Sequence, residues 1–332
     1  ERLAWLTGFT GSAGVAVVLA DEAAVFVDGR YTLQVRDQID LDVFTPVSIA
    51  DEPPPRWLKA HAKPGSRIGY DPMLMTLAQV RRYEKALAAV GAAFVPLDEN
   101  PLDAVWTDRP APPLGPLVLQ PLDLAGEAAA AKVARIDARL GELEADAALL
   151  TQPDSIAWLL NVRGSDVAHN PVPLAFAVAR RGARPTVFID GHKLSNAVRA
   201  TLEADADIAE PAQLAPTLDA LGAAGAKVLV DPELTAEALC RRLVDAGAHL
   251  VEGQDPVLLP KAVKNAAEIA GTRAAHVRDG VAVCRFLAWF DRTAPSDGLD
   301  EIAAAQALER FRAETGLLRE ISFDTISAAG PN

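Results

Sequence analysis

The chain has 332 residues, 50% of them apolar and 23% charged, with a formal net charge of −13. One hydrophobic core seldom organises so long a chain, so two or three globular domains are expected, and no apolar run approaches the roughly 20 residues of a membrane helix. The acidity argues against sequence-independent nucleic-acid binding, which relies on clustered Lys and Arg.

In chain order, Leu3-Ala-Trp-Leu-Thr-Gly-Phe-Thr-Gly-Ser12 leads into Val15–Leu19 and Val25–Val27. These two short runs read as strands buried on both faces. Gly8, Gly11 and Gly14 are dense enough for a phosphate-cradling loop, but the dinucleotide fingerprint needs a strand before it and a helix after it. Here a strand follows, so a structural turn is expected. Thr76-Leu-Ala-Gln79 has the capping-box form, with Thr76 as N-cap, and opens an amphipathic helix to about Val90. Arg109-Pro-Ala-Pro-Pro-Leu-Gly-Pro116 lacks periodicity and reads as a semi-rigid linker, which places the first boundary there.

After the linker, a helix over about 127–144 and a strand over about 146–151 precede a second pass through the same blocks. Ile156-Ala-Trp-Leu-Leu-Asn-Val-Arg-Gly-Ser165 matches Leu3–Ser12, and Val187-Phe-Ile-Asp-Gly191 matches Val25-Phe-Val-Asp-Gly29. Lys227–Pro232 then matches Arg67–Pro72, and Gly247–Glu252 matches Gly91–Pro96, with Thr235 expected at the cap position of Thr76. Four blocks in one order identify a duplicated unit. Alternating strands and helices predict an α/β architecture. The first copy lacks the opening helix and strand, so roughly 30 residues carrying both are expected ahead of Glu1.

The second copy is expected to end near Pro256. Beyond it, Lys261–Arg292 carries Val277, Val281, Cys284 and Ala288 at i, i+4, i+7, i+11, the pattern of a buried helix face. A turn at Pro295-Ser-Asp-Gly298, a helix over about 300–314 and a strand at Ser322–Ser327 follow. Two helices and a strand cannot enclose a core, so a third domain cut short is expected. Cys240 and Cys284 both read as buried and lack neighbours at metal-ligand spacing, which fits a reducing compartment.

Chemistry is sparse in these residues. His61, His169, His192, His249 and His276 show no zinc spacing, His276 reads as structural, and neither a nucleophile elbow nor a telling carboxylate pair is present. Catalytic and metal-ligating residues are assigned to none of this chain. Asp166 and His169, within Gly164-Ser-Asp-Val-Ala-His-Asn-Pro171, form a tight polar cluster that reads either as a structured loop or as part of a binding cleft.

Several blocks in their order resemble the three-domain Xaa-Pro aminopeptidases (aminopeptidase P) of the creatinase/pita-bread metallopeptidase family. They are Trp5–Gly14, Asp28-Gly-Arg-Tyr31, Trp106-Thr-Asp-Arg-Pro110, Arg163–Pro171, Lys261-Ala-Val-Lys-Asn265, Thr325-Ile-Ser327 and Gly330-Pro-Asn332. The resemblance covers essentially the whole chain. It implies two repeated creatinase-N-terminal-like α/β domains, residues 1–117 and 118–256, and then the start of a pita-bread (α+β) domain, 257–332, truncated before its metal ligands. It also implies a cytoplasmic, homodimeric metal-dependent enzyme that removes the N-terminal residue from peptides with proline second. Two manganese ions, Mn(2+), would be held by two Asp, one His and two Glu beyond Asn332, so the fragment alone is expected to bind no metal and to be inactive. Related creatinases and proline dipeptidases generally carry one such N-terminal unit, and the duplication points to the aminopeptidase.

Arg30, in Asp28-Gly-Arg-Tyr31, is the residue that the resemblance connects to bound peptide. The repeat places His192 there, so the fold tolerates another side chain, and a guanidinium fork suits peptide carbonyls or a carboxylate. The competing reading is a non-catalytic peptide-binding or dimerisation module of the same fold.

Overall fold

Glycine ends the first helix and valine builds the first strands. α1 (Arg2–Thr7) stops at Gly8, where φ is 80° and an added Cβ would lie 2.6 Å from the Gln38 carbonyl oxygen, so only glycine fits. The computed structural model describes residues 1–295 and 298–330. Ser296 and Asp297 of the expected turn, and Pro331 and Asn332 of the Gly-Pro-Asn block, lie outside the described residues. The chain divides into two compact units, Glu1–Ala111 with Pro232–Arg241, and Pro112–Asp231 with the residues from Arg242 onward.

In the first unit α1 is followed by β1 (Gly14–Val18), β2 (Ala23–Val27), α2 (Gln34–Gln38), β3 (Phe44–Ser48) and α3 (Pro54–His61). Then come β4 (Arg67–Tyr70), α4 (Leu77–Ala88), β5 (Ala93–Pro96) and α5 (Pro101–Val105). β2 pairs antiparallel with β1 and parallel with β3, while β4 and β5 form a separate parallel pair. Strand alternation sends Val25 and Val27 to one face, with Phe9 and Phe44, and Ala24 and Phe26 to the other, with Trp57 and Leu87. β2 is thus buried on both faces, as expected, whereas β1 leaves Val15 and Val18 exposed. The reason is an edge of β1 that no described strand covers. The capping box at α4 forms: Gln79 N–H donates to Thr76 Oγ1 at 3.2 Å and Thr76 N–H to Gln79 Oε1 at 2.9 Å.

The second unit holds β6 (Val118–Leu119), α6 (Leu122–Ala125), α7 (Ala129–Glu142), β7 (Ala147–Leu150), α8 (Pro153–Leu159) and β8 (Val162–Arg163). It continues through β9 (Phe176–Arg180), β10 (Thr186–Phe188), α9 (Asn196–Leu202), β11 (Asp207–Ala209), α10 (Leu214–Ala223) and β12 (Lys227–Val230). α11 (Glu237–Asp245) begins among the first unit's residues and ends among the second's, and β13 (His249–Glu252), α12 (Leu258–Ala262), α13 (Ala266–Thr293) and α14 (Glu301–Ala313) complete the second. One six-stranded mixed sheet runs β11-β10-β9-β7-β12-β13, and β6 pairs with β8. α7 and β7 are the opening helix and strand expected after the linker. A cluster including Ile136, Leu140, Leu150, Leu159, Val187 and Leu229 packs on one face of the sheet, and Val178, Phe188, Val228 and Val230, at the alternate strand positions, are buried as well.

Four expectations need correction. α11 starts at Glu237, and the isolated bridge Thr76↔Ala236 pairs the two cap positions, so Ala236 rather than Thr235 stands where Thr76 stands. On α13, Val277, Val281, Cys284 and Ala288 are exposed. α13 and α14 instead pack together, burying Ala282, Ala304 and Ala307, because small residues let two helices approach closely. Cys284 is therefore exposed, whereas Cys240 is buried. Ser322–Ser327 forms no strand, since a strand persists only where a ladder partner is at hand and none among the described residues pairs with it.

Between β13 and α12, Asp255 Oδ1 accepts from Val257 N–H at 2.8 Å, while Oδ2 lies buried. Burial pushes this carboxyl above the usual carboxylate range, and the neighbouring Asp231 adds to the shift. The folded protein therefore holds a proton that the unfolded chain releases from about pH 4 upward, and stability falls as pH rises through that window. Asp255→Asn is expected to flatten this part of the Tm–pH profile. An unchanged slope in thermal scans between about pH 4 and 7 would show that Asp255 titrates normally.

Candidate functional site

Asp28 closes β2 and caps a single 3-10 turn, Gly29–Tyr31, by accepting the Arg30 backbone N–H at 3.0 Å. The same carboxylate folds the Arg30 side chain back on itself. Arg30 Nε donates to Oδ1 and Oδ2 at 3.1 and 3.2 Å and Nη2 to Oδ2 at 2.7 Å, leaving Nη1 without a hydrogen bond among the described residues. The guanidinium lies 5.0 Å from the centroid of the Tyr31 ring, and the Tyr31 hydroxyl shares a 2.6 Å hydrogen bond with Ser12 Oγ. Hydrogen bonding from Arg30 holds the Asp28 carboxyl below its ordinary range and raises the guanidinium in return. The hydrogen bond with Ser12 pulls the Tyr31 hydroxyl downward.

Arg30 remains exposed, so water screens its pair with Asp28 and a ligand displaces it at small cost. The site offers an orientable fork of donors over an aromatic face, able to hold a carboxylate or a peptide carbonyl. The repeat keeps the scaffold and changes the head group: Asp190 accepts His192 N–H at 2.9 Å, and His192 Nδ1 lies 2.7 Å from Asp190 Oδ1. The aspartate is thus architectural in both copies, and the residue two places on is variable.

Sequence reasoning missed the polar neighbours of this turn. Gln38 Oε1 accepts Thr10 N–H at 2.9 Å and Gln34 Nε2 at 3.2 Å, and Gln38 Nε2 donates to Thr10 Oγ1 at 3.0 Å. The i, i+4 spacing of Gln34 and Gln38 was the available signal.

The structure separates Asp166 from His169. Asp166 turns inward and accepts Lys193 Nζ at 2.7 Å, Gly115 N–H at 3.0 Å and Leu174 N–H at 2.6 Å, an entirely structural role. His169, at φ 61°, engages the C-terminal segment instead: its N–H donates to Glu320 Oε1 at 2.9 Å, and Nδ1 lies 3.1 Å from the Ile321 carbonyl oxygen. The remaining histidines go to separate places. His61 stacks on Trp57 at 4.0 Å and pairs with Glu22, and His276 Nδ1 lies 2.8 Å from the Thr272 carbonyl oxygen within α13. Among the described residues no group of three His, Cys, Asp or Glu side chains gathers to hold a metal, so the donor set of a dinuclear centre does not fit these residues and no metal step is assigned to them. No described helix is long and apolar enough to cross a membrane.

Residues 1–105 and 108–268 each match a family model for the creatinase/prolidase N-terminal domain. The chain is 35% identical to a probable Xaa-Pro aminopeptidase P of Aspergillus clavatus, covering 100% of this chain and 52% of that protein. A probable Xaa-Pro aminopeptidase P of Neosartorya fischeri is 34% identical with the same two coverages, 100% and 52%. Among solved structures, X-prolyl aminopeptidase from Caenorhabditis elegans, described as a cytosolic enzyme with a di-nuclear active site, matches with a TM-score of 0.89. Its identity is 30%, over 98% of this chain and 54% of that one. The chain spans about half the length of these relatives.

Proposed function

The chain belongs to the Xaa-Pro aminopeptidase family, through two successive creatinase/prolidase N-terminal domains, and on that footing we propose that it serves an aminopeptidase that removes the N-terminal residue from peptides with proline second. The observation that carries this reading is the match along 98% of the chain, at a TM-score of 0.89, to an X-prolyl aminopeptidase. We divide the chain into domains 1–117, 118–256 and 257–332. The two family matches, ending at 105 and beginning at 108, support the first boundary. In this reading Arg30 contacts the peptide, the active protein works in the cytosol as a homodimer, and its cofactor is a pair of manganese ions. The cytosolic, di-nuclear relative supports the location and the metal count.

The decisive assay uses the polypeptide extended to the length of its relatives and supplied with manganese. Release of the first residue from Xaa-Pro peptides, abolished by a chelator and restored by the metal, is expected. A folded, metal-loaded preparation that cleaves no Xaa-Pro peptide would overturn the reading in favour of a peptide-binding or dimerisation module.

A further inference from the structure

Two blocks that the proposed function leaves unused, Arg163–Pro171 and Lys261–Asn265, meet on one cleft of the second unit. Its volume is about 530 Å³, and its charged walls are Lys132, Arg163, Lys261 and Lys264 against Asp154 and Glu268. Four cations against two carboxylates leave an excess of two positive charges, in a chain whose formal net charge is −13. Local structure fixes these walls. The β6–β8 ladder sets Arg163 opposite Val118, and Asn161 leaves α8 with a φ of 51°. Asn265, the N-cap of α13, donates from Nδ2 to the Ala125 carbonyl oxygen at 2.8 Å, and it lies so near Gly126 that a Cβ there would overlap its side chain.

Both carboxylates are already engaged. Asp154 pairs with Lys261, and Glu268 Oε2 accepts the Asn265 N–H at 2.9 Å in the capping box that opens α13. Lys132 is 1% exposed, yet among the described residues its ammonium meets neutral partners: the Trp158 carbonyl oxygen at 2.9 Å, Asn161 Oδ1 at 2.7 Å and the Trp158 ring, 4.1 Å from its centroid. Arg163 is half-buried. Its Nη1 donates to the Val162 carbonyl oxygen at 2.7 Å, while Nε and Nη2 have no hydrogen bond among the described residues. Lys264 is exposed and donates to the Lys261 carbonyl oxygen. Burial pushes the Lys132 ammonium and the Arg163 guanidinium below their ordinary ranges, and Glu268 draws both partly back. Charge held in a desolvated wall without a counter-ion is unfavourable, and an anion in the cleft offsets that cost.

We propose that this cleft binds a phosphate dianion, either free or as the head of a small phosphomonoester. Arg163 supplies Nε and Nη2 as a paired fork, Lys264 adds an ammonium on a flexible stem, and Lys132 acts through its field from the wall. The charge excess decides between oxyanions: two uncompensated cations are neutralised by one phosphate dianion and only half neutralised by a carboxylate. The cleft is much larger than a bare phosphate, and Leu124, Ala157 and Val172 give it an apolar side for an organic group. Bound there, the phosphate joins β8 to the segment that leads into α13 and stiffens that link.

The test is calorimetric titration of the 332-residue chain with phenyl phosphate, inorganic phosphate and acetate, at equal ionic strength in chloride and about pH 7.5, where a phosphomonoester is a dianion. Saturable one-site binding is expected, with both phosphates at least about 10-fold tighter than acetate. Phenyl phosphate binding more tightly than inorganic phosphate assigns the site to a phosphomonoester, and equal affinities assign it to the free ion. At about pH 5 phenyl phosphate should bind about 10-fold more weakly, because its second ionisation lies near pH 6. Arg163→Gln should weaken phosphate at least about 10-fold and Lys264→Gln about 3-fold, while Lys63→Gln, in the first unit, leaves it unchanged. Circular dichroism checks each variant. If Arg163→Gln does not fold, Lys264→Glu, at an exposed position, carries the test with a loss of at least about 10-fold expected. Phosphate bound no more tightly than acetate overturns the proposal. So does phosphate binding that is indifferent to Lys264→Glu and to a folded Arg163→Gln.

Discussion

Asp166→Ala is expected to destabilise the protein by about 3–5 kcal/mol, read as a large fall in the urea midpoint. The Asp166 side chain is 0% exposed and that of its partner Lys193 5%. Removing the carboxylate strands a buried ammonium whose remaining contact is the Leu174 carbonyl oxygen at 3.2 Å. It also deprives the Gly115 and Leu174 N–H groups of their acceptor. The Gly115 bond is part-buried and the Leu174 bond exposed, so water compensates much of their loss and the stranded ammonium dominates the effect, which lies at the upper end of single-substitution effects. The double variant Asp166→Leu/Lys193→Met should recover most of the loss, because an apolar pair of similar volume in place of a buried ion pair is often neutral. A loss below about 1 kcal/mol for Asp166→Ala would mean that the pair is solvated in solution.

Arg30→Ala should lower kcat/KM for Xaa-Pro peptides about 10- to 100-fold in the protein extended to the length of its relatives, while leaving the melting temperature in place. The magnitude is that of one or two charge-assisted hydrogen bonds lost from a bound peptide. Stability is spared because the Arg30–Asp28 pair is exposed, and because the 3-10 turn is held by the backbone N–H of residue 30, which any residue but proline supplies. Arg30→His separates folding from binding: the repeat already carries His192 on the same scaffold, folded back on Asp190 in the same way. It should therefore fold normally yet bind peptide poorly. Arg30→Lys keeps the charge but loses the fork and should fall between the two. Unchanged kinetics for Arg30→Ala on short and long peptides, at normal stability, would make Arg30 a structural residue.

Much of the architecture was legible from residues alone, because its signals are local. The Thr76/Gln79 capping box, the helix and strand that open the second copy, and the glycine-rich turn leading into β1 each depend on neighbours within a few positions. The duplication and the family were legible because they are statements about order along the chain. Tertiary structure alone decided where partners stand. Periodicity showed α13 to be apolar along Val277, Val281, Cys284 and Ala288, but α14 packs with it where Ala282 lies buried. Ser322–Ser327 has the composition of a strand and no ladder to join among the described residues. Asp166 and His169 are three residues apart in the chain, yet one pairs with buried Lys193 and the other with the segment at Glu320, because a left-handed backbone at His169 turns the loop between them. The open edge of β1 is the same case: its valines read as doubly buried, and burial requires a neighbouring strand. Composition and spacing determine what a segment is able to form. Burial and pairing depend on residues distant in sequence, so the fold alone decides which of those possibilities is realised.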